Sequence, residues 1–424
     1  MHHRHTDERR LSVWLFEIKN MERNKTTPRP NWQKIVESQG MYYHTLPSEQ
    51  PDGKPGDWNT KGGRPYWDES TYYHLTAREV DEIEECTYWL NQYCLQAVDH
   101  IIANNLFEKL GVPASHVDWV KRSWDRDEHT IYGRFDLRYD GDEPPKLLEY
   151  NADTPTGLLE ASVIQWHWQK DTLEFYDQYN SIHDKLLEIF KTLKNFHDGK
   201  FYFAALAQNL EDYMTVQYLR DCAMQAGWDT EYIHIEDIGW HELRKVFTHT
   251  NENTIRNIFK LYPWEWMVRE QFGEKLLLDT CNWFEAPWKT LLSNKGLLVV
   301  LHEMFPDSPY ILKALWEPME GVHVKKPIHG REGANVAFMK GQDVIHKTDG
   351  PYNGPCIYQE TCVLPCFGET GDNIKTTDLS KTGVFYPVIG SWLINGYAAG
   401  IGIREDTQPI TSNFSRFVPH VFSK

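Results

Sequence analysis

Apolar and polar positions alternate most regularly between residues 131 and 151, where the chain reads IYGRFDLRYDGDEPPKLLEYN. Two period-2 runs flank Asp140-Gly141-Asp142-Glu143-Pro144-Pro145, which predicts a β-hairpin with a loop of about six residues. In a symmetric hairpin, residues whose numbers sum to 285 face each other. Asp136 then lies opposite Glu149 and Arg134 opposite Asn151, and the strand period puts all four side chains on one face. Helical periodicity is clearest from Thr76, where Thr-x-x-Glu to Glu79 reads as a capping box and Val80, Ile83, Leu90, Cys94, Val98 and Ile101 follow. Beyond the hairpin, Leu158, Leu159, Ser162 and Trp166 begin a helix near 157–177, and a second helix covers 181–194. A strand at 201–206, a helix at about 212–226 and a strand at 230–235 make a β-α-β unit, hence a partly parallel sheet with a binding crevice at its strand ends.

The last third has a different texture. Phe284-Glu285-Ala286-Pro287-Trp288 leads to Ser293-Asn294-Lys295 and a helix at Gly296–Phe305. Strands follow at 322–328, 336–339 and 356–360, and Asn395-Gly396 joins strands 385–394 and 397–404 in a tight hairpin. Residues 46–64, rich in Pro and Gly, read as an exposed loop, and residues 1–20 as an N-terminal extension before a unit beginning at Met21.

The chemistry lies on the hairpin face. Two carboxylates opposed across a sheet repel unless a positive charge sits between them. Oxygens of Asp136, Glu149 and Asn151 suit a hard cation such as Mg²⁺, with phosphate oxygens completing its shell, and Arg134 is placed to reach a phosphate. The competing reading is a polar face turned to water. The next segment, Asn151-Ala152-Asp153-Thr154-Pro155-Thr156-Gly157, favours the metal–phosphate reading. Thr154 or Thr156 can cap the following helix, and a helix N-terminus is an anion site. Farther on, Lys326 on a strand, the loop Gly330-Arg331-Glu332-Gly333-Ala334-Asn335 and a returning strand have the parts of a mobile phosphate lid, with Arg331 and Glu332 facing solvent. The alternative there is an ordinary hairpin with a solvated lysine, since the loop matches no P-loop or dinucleotide fingerprint.

At 424 residues with a formal charge of −17, the chain is large enough for a sizeable core and poorly suited to nucleic acid or anionic membranes. The acidity suits a cationic small molecule, or serves solubility alone. No apolar run has membrane-spanning length and no secretory pattern opens the chain. Seven scattered cysteines without a CxxC pair read as thiols of a reducing cytoplasm.

Several separated blocks resemble one family: RFD at 134–136, EYNAD at 149–153, KLYPWE at 260–265, SNK at 293–295, KPIHGREGAN at 326–335, IYQE at 357–360 and GIRED at 402–406. Together they are similar to the synthetase domain of glutathionylspermidine and trypanothione synthetases, ATP-grasp amide ligases, over nearly the whole chain from Met21. The resemblance implies an α/β (α+β) ATP-grasp fold with a pre-ATP-grasp-like part at 21–285 and an ATP-binding lid and sheet at 286–424. It implies ATP and two Mg²⁺ ions as cofactors, a small-molecule acid and an amine as substrates, and an acyl phosphate that the amine attacks. Position by position it makes Asp136, Glu149 and Asn151 metal ligands. Arg134 and Arg404 become the arginines at the transferring phosphoryl group. Phe135 belongs to the nucleotide-contacting RFD block, and Lys295, Lys326, Arg331, Gly333, Gln359 and Glu360 to the nucleotide site. Thr154, Glu211 and Asp212 fall to the substrates. Asp212 and Thr154 stand where bifunctional relatives have Glu and Ser, and the cysteine amidase domain of those relatives is not expected in this chain. The rival readings are a nucleotide-binding protein without ligase activity and a metal-dependent phosphohydrolase, the latter leaving Lys295 and Lys326 without a task.

Overall fold

The computed structural model describes residues 20–45, 65–371, 373–374, 381–412 and 415–423. The expected extension at 1–20 and the loop at 46–64 therefore lie outside the described residues, Asn20 apart.

The predicted hairpin forms the edge of a six-stranded antiparallel sheet. The order is Arg416–Val418, Tyr397–Asp406, Val384–Ile394, Tyr132–Arg138 and Lys146–Asn151, with Phe367–Gly368 paired to Val384–Ile394. Its register is the expected one, Arg134 opposite Asn151 and Asp136 opposite Glu149. It then shifts by one, so that Leu137 faces Leu147 and Leu148 is left as the extra residue of a β-bulge. Strand alternation divides the sheet cleanly. Phe135, Leu137 and Tyr150 enter the core built on the long helix Ala77–Ala103, while Tyr132 and Trp392 enter a second core with Ile182–Leu193 and Leu210–Gln225. The long helix carries the predicted capping box in both directions, Thr76 with Glu79.

The β-α-β reading also holds. Asn282–Phe284, Asn257–Lys260, Phe201–Ala205 and Thr230–His234 form a four-stranded parallel sheet, and every residue of Phe201–Ala205 is buried, as parallel strands covered on both faces require. The helix after the 151–157 loop ends at Thr172, short of the expected 177, and contains a π-helical stretch, Glu160–Ile164.

A third, five-stranded antiparallel sheet contains the strands expected on either side of the glycine loop, in the order Ala314–Leu315, Cys356–Glu360, Val322–Pro327, Ala337–Lys340 and Asp343–Lys347. The Asn395-Gly396 turn takes positive φ at both residues, 50° and 77°, the signature of a type I′ hairpin. A small sheet pairs Glu22–Lys25 with Thr71–Thr76, and Thr71–Thr76 in parallel with His420–Ser423. No described helix is long and apolar enough to cross a membrane, and all seven cysteines are unpaired.

Candidate functional site

Two cavities meet on the hairpin face. One, of about 220 Å³, is lined among others by Arg134, Asp136, Glu149, Asn151, Thr154 and Asp212, and also by Arg331, Gly333 and Arg404. The other, of about 120 Å³, is lined by Lys295, Lys326, Gln359 and Glu360 and by the apolar cluster Val324, Val336, Phe338 and Ile410. Asp136, Glu149 and Gly333 line both. Residues spread over some 270 positions, from Arg134 to Arg404, are thus gathered at one place. Phe135 and Glu211 line neither cavity. The Phe135 side chain is fully buried, its ring 4.1 Å from that of Tyr150, because a residue between two site residues on a strand points to the opposite face. Its expected nucleotide contact is therefore not made by the side chain.

The repulsion expected between Asp136 and Glu149 is met from both sides. Arg134 grips Asp136 with a fork, Nε to Oδ1 at 2.6 Å and Nη2 to Oδ2 at 3.0 Å, and donates a third bond to the Thr156 carbonyl. Gly390 makes room for this: a Cβ there would stand 2.7 Å from Arg134 Cδ. Glu149 accepts from Lys295 Nζ at 2.8 Å. Burial alone would raise the Glu149 carboxyl, but Lys295, Lys326 and Arg134 outweigh it and hold it below the ordinary range. Lys326, which the competing reading made a solvated lysine, is 9 % exposed. It donates to Gln359 Oε1 at 2.6 Å and to the Leu148 carbonyl at 3.0 Å, the carbonyl of the bulge's extra residue. Burial, with Lys295 adding repulsion against the pull of Glu149, brings the Lys326 ammonium down to about 8.

Asn151 donates Nδ2 to Asp136 Oδ2 at 3.1 Å, so its amide oxygen is what remains for a further partner. Asp136, Glu149 and Asn151 thus present oxygen donors on one face of one cavity. Among the described residues no cluster of three or more His, Cys, Asp or Glu side chains is placed to hold a metal. Two carboxylates and an amide suit an ion that takes few protein ligands, as Mg²⁺ does, and no ion that needs a full protein cage.

The glycine loop is tied down rather than solvated. Arg331 donates to Thr154 Oγ1 at 2.9 Å, pairs with Glu265 and lies over the Trp266 ring at 5.8 Å. The expectation that Arg331 faces solvent is corrected by this latch; Glu332 is exposed as expected. The same bond corrects the expected helix cap, because no cap bond from Thr154 or Thr156 is formed and the Thr154 hydroxyl serves Arg331. Releasing the latch with Arg331→Met should speed amide exchange over 329–336 by about tenfold, whereas ATP and Mg²⁺ should slow it in the unmodified protein. Exchange unchanged by either would count against a lid.

On the substrate side, Asn209 caps the helix Leu210–Gln225 by accepting from Asp212 N at 3.1 Å. Burial, then Glu211 and Glu332, push the Asp212 carboxyl up to about 8 against the pull of Arg331. Arg404 donates to the carbonyls of Ser412 and Ser415 and lies 5.4 Å over the Tyr66 ring. Tyr66 in turn donates to the fully buried Glu160 at 2.9 Å.

Two buried ion pairs that carried no assigned role hold the site's strands. Lys260 and Asp153, 0 % and 1 % exposed, pair at 2.6 Å, and Asp153 also accepts from Trp264 N. Glu285 accepts from the Ile131 and Tyr132 amides and from Lys289 Nζ, which also donates to the Tyr132 carbonyl. One pair pins the loop between Asn151 and Thr154, and the other pins the start of the Arg134 strand. A lone lysine in the apolar run Ile258-Phe259-Lys260-Leu261 is the sequence signal that marks such a pair. Asp153→Asn strands the Lys260 ammonium and should cost about 3–5 kcal/mol in denaturant unfolding; a loss below about 1 kcal/mol would contradict the clamp.

Residues 23–423 match the glutathionylspermidine synthase preATP-grasp family model. The chain belongs to this family. It is 36 % identical to a Haemophilus influenzae protein named "Putative acid--amine ligase", over 93 % of this chain and 97 % of that one. It is 26 % identical to a Crithidia fasciculata trypanothione synthetase over 77 % of this chain. To an Escherichia coli bifunctional glutathionylspermidine synthetase/amidase the identity is 25 % over 69 %. The chain spans about half the length of these last two, 53 % and 52 %. The relatives are thus named as ligases or synthetases. Among solved structures, a glutathione synthetase-like effector from Globodera pallida aligns with a TM-score of 0.52 at 9 % identity, over 94 % of this chain and all of that one. That likeness is one of fold alone.

Proposed function

We propose that the protein is an ATP- and Mg²⁺-dependent carboxylate–amine ligase that forms an amide through an acyl phosphate. The supporting observation is the pair of cavities that share Asp136 and Glu149. The smaller has apolar walls that suit a purine ring, and the Lys326 and Lys295 ammonium groups in its lining would supply positive charge for phosphates. The larger of the two mixes apolar side chains with both signs of charge, as two different substrates need. Asp136, Glu149 and Asn151 would hold Mg²⁺, which when bound neutralises phosphate charge and orients the terminal phosphoryl group.

The remaining work falls to the chain's own groups. Three of the five Arg134 N–H groups are committed to Asp136 and Thr156, leaving two for phosphoryl oxygens. Arg404 lines the same cavity and shares in countering the charge that builds during transfer. The acid's carboxylate oxygen takes the γ-phosphoryl group and ADP leaves. The neutral amine nitrogen then attacks the acyl carbon and expels phosphate, its N–H proton passing to the departing phosphate or to water. Glutathione-like peptide acids and polyamines are the substrate classes to try first, given the family and the acidic balance of 61 carboxylates to 44 basic residues.

The deciding assay is ADP release from ATP and Mg²⁺ with pools of peptide acids and amines. Release that needs both an acid and an amine, with the amide found by mass spectrometry, is the expected result. ADP release indifferent to both would favour an ATPase, and none with any pool a non-ligating nucleotide-binding protein.

A further inference from the structure

A third and larger cavity, of about 570 Å³, opens between the helical stretch at 158–172, the start of Ile182–Leu193 and the middle of Leu210–Gln225. It shares no lining residue with the two cavities above. Its volume falls within the range of roughly 300–1,000 Å³ typical of small-molecule sites.

Its surfaces differ in chemistry. One wall is apolar, with Leu159, Val163 and Met214, and the indole of Trp166 stands at it 42 % exposed. The floor is polar. Ser162 Oγ and Tyr218 OH lie 2.5 Å apart, and the phenol oxygen is 3.1 Å from His183 Nδ1. Asp184 and Asp221 are exposed, neither enters an ion pair among the described residues, and Asp221 Oδ2 accepts from Gln225 Nε2 at 2.7 Å. No lysine or arginine lines the cavity.

We propose that this cavity binds an organic cation, a molecule with an ammonium group on an aromatic or aliphatic body. The ammonium meets Asp184 and Asp221, which have no competing basic partner. The body covers the apolar wall formed by Leu159, Val163 and Met214, whereas the Trp166 ring already carries Lys170 Nζ at 5.7 Å. A hydrogen-bonding group can meet the Ser162–Tyr218 floor. An anion of equal size would face two carboxylates with no lysine or arginine in the lining to offset them, only the imidazoles of His167 and His183. This reading is independent of the ligase proposal, because none of its residues belongs to that site.

The test is calorimetric titration of the full-length protein with tryptamine, and with indole-3-propionate as an anion of similar size. Tryptamine should bind once per chain, and indole-3-propionate at least about tenfold more weakly. The double variant Asp184→Asn/Asp221→Asn, altered only at exposed positions, should weaken tryptamine by about fivefold or more. Met214→Trp, which fills the cavity, should do so as well. Equal affinity for the two probes, no binding of tryptamine at millimolar concentration, or unchanged affinity in the double variant would overturn the assignment.

Discussion

Glu149→Gln should lower ATP turnover by at least about a hundredfold while the fold survives. The carboxylate is the shared wall of both cavities and has Lys295 at 2.8 Å with Lys326 close by. Removing its charge takes the shared counter-charge from the Lys295 and Lys326 ammonium groups, leaving only the weaker pull of Asp136 on Lys326, and removes one of the two negative charges available to a divalent ion. Lys295 keeps its bond to the Gly330 carbonyl and Glu149 is itself 26 % exposed, so the stability loss should be small. Asp136→Asn should be equally inactive but less stable, because it takes the carboxylate partner from Arg134. The sign of the acid dependence follows from the lowered Glu149 pKa. The carboxylate's contribution to stability is present above the unfolded value near 4.5 and is lost as pH falls through the lower folded value. Glu149→Gln should therefore flatten the acid limb of the melting curve. ADP release and thermal melts measure both effects, and turnover within about tenfold of the unmodified protein in both variants would remove these residues from the metal site.

What the sequence disclosed and what it hid separate along physical lines. Local, periodic features were readable. The hairpin register follows from strand period and turn length, and the capping box at Thr76 from two residues three apart. The bulge at Leu148 was not readable, because the partner of its carbonyl, Lys326, comes from a different sheet 178 positions away. The same limit applies to Arg331. Charge and neighbouring glycines suggest a solvent-facing residue, but the Glu265 partner lies 66 positions away and only the fold brings it near. Buried ion pairs such as Asp153 with Lys260 leave a trace, a charge inside an apolar run, yet the trace does not name the partner. Phe135 shows how far a contiguous motif can be read, because its side chain, between two cavity-lining residues on one strand, faces the opposite side and packs on Tyr150.

A cationic amine should bind better as pH rises from 6 through 8, and Asp212 should be the reason. Its carboxyl lines the cavity of about 220 Å³ beside Arg134, and burial, with Glu211 and Glu332 adding repulsion, pushes it up to about 8. Below that pH the group is largely protonated and offers an ammonium no charge. Above it the carboxylate pairs with the amine, so KM for a diamine or polyamine should fall with pH and level off, provided the amine stays protonated. KM should also rise with added salt, since screening weakens the attraction. Asp212→Asn should raise KM by about tenfold at pH 8.5, flatten the profile and leave KM for ATP unchanged. Glu211→Gln should act differently. Glu211 is outside the cavity lining and works through repulsion, so its removal should move the KM profile to lower pH and leave its height nearly intact. Stability gives an independent sign. A carboxyl raised on folding favours the folded state less and less as pH climbs from its unfolded value near 3.8 toward 8. Asp212→Asn should therefore melt higher than the unmodified protein at pH 9 and show less difference at pH 4. A neutral amine as best substrate, or a KM profile identical in Asp212→Asn, would remove Asp212 from amine recognition and leave the ligase proposal standing, since the phosphate side is built from other residues.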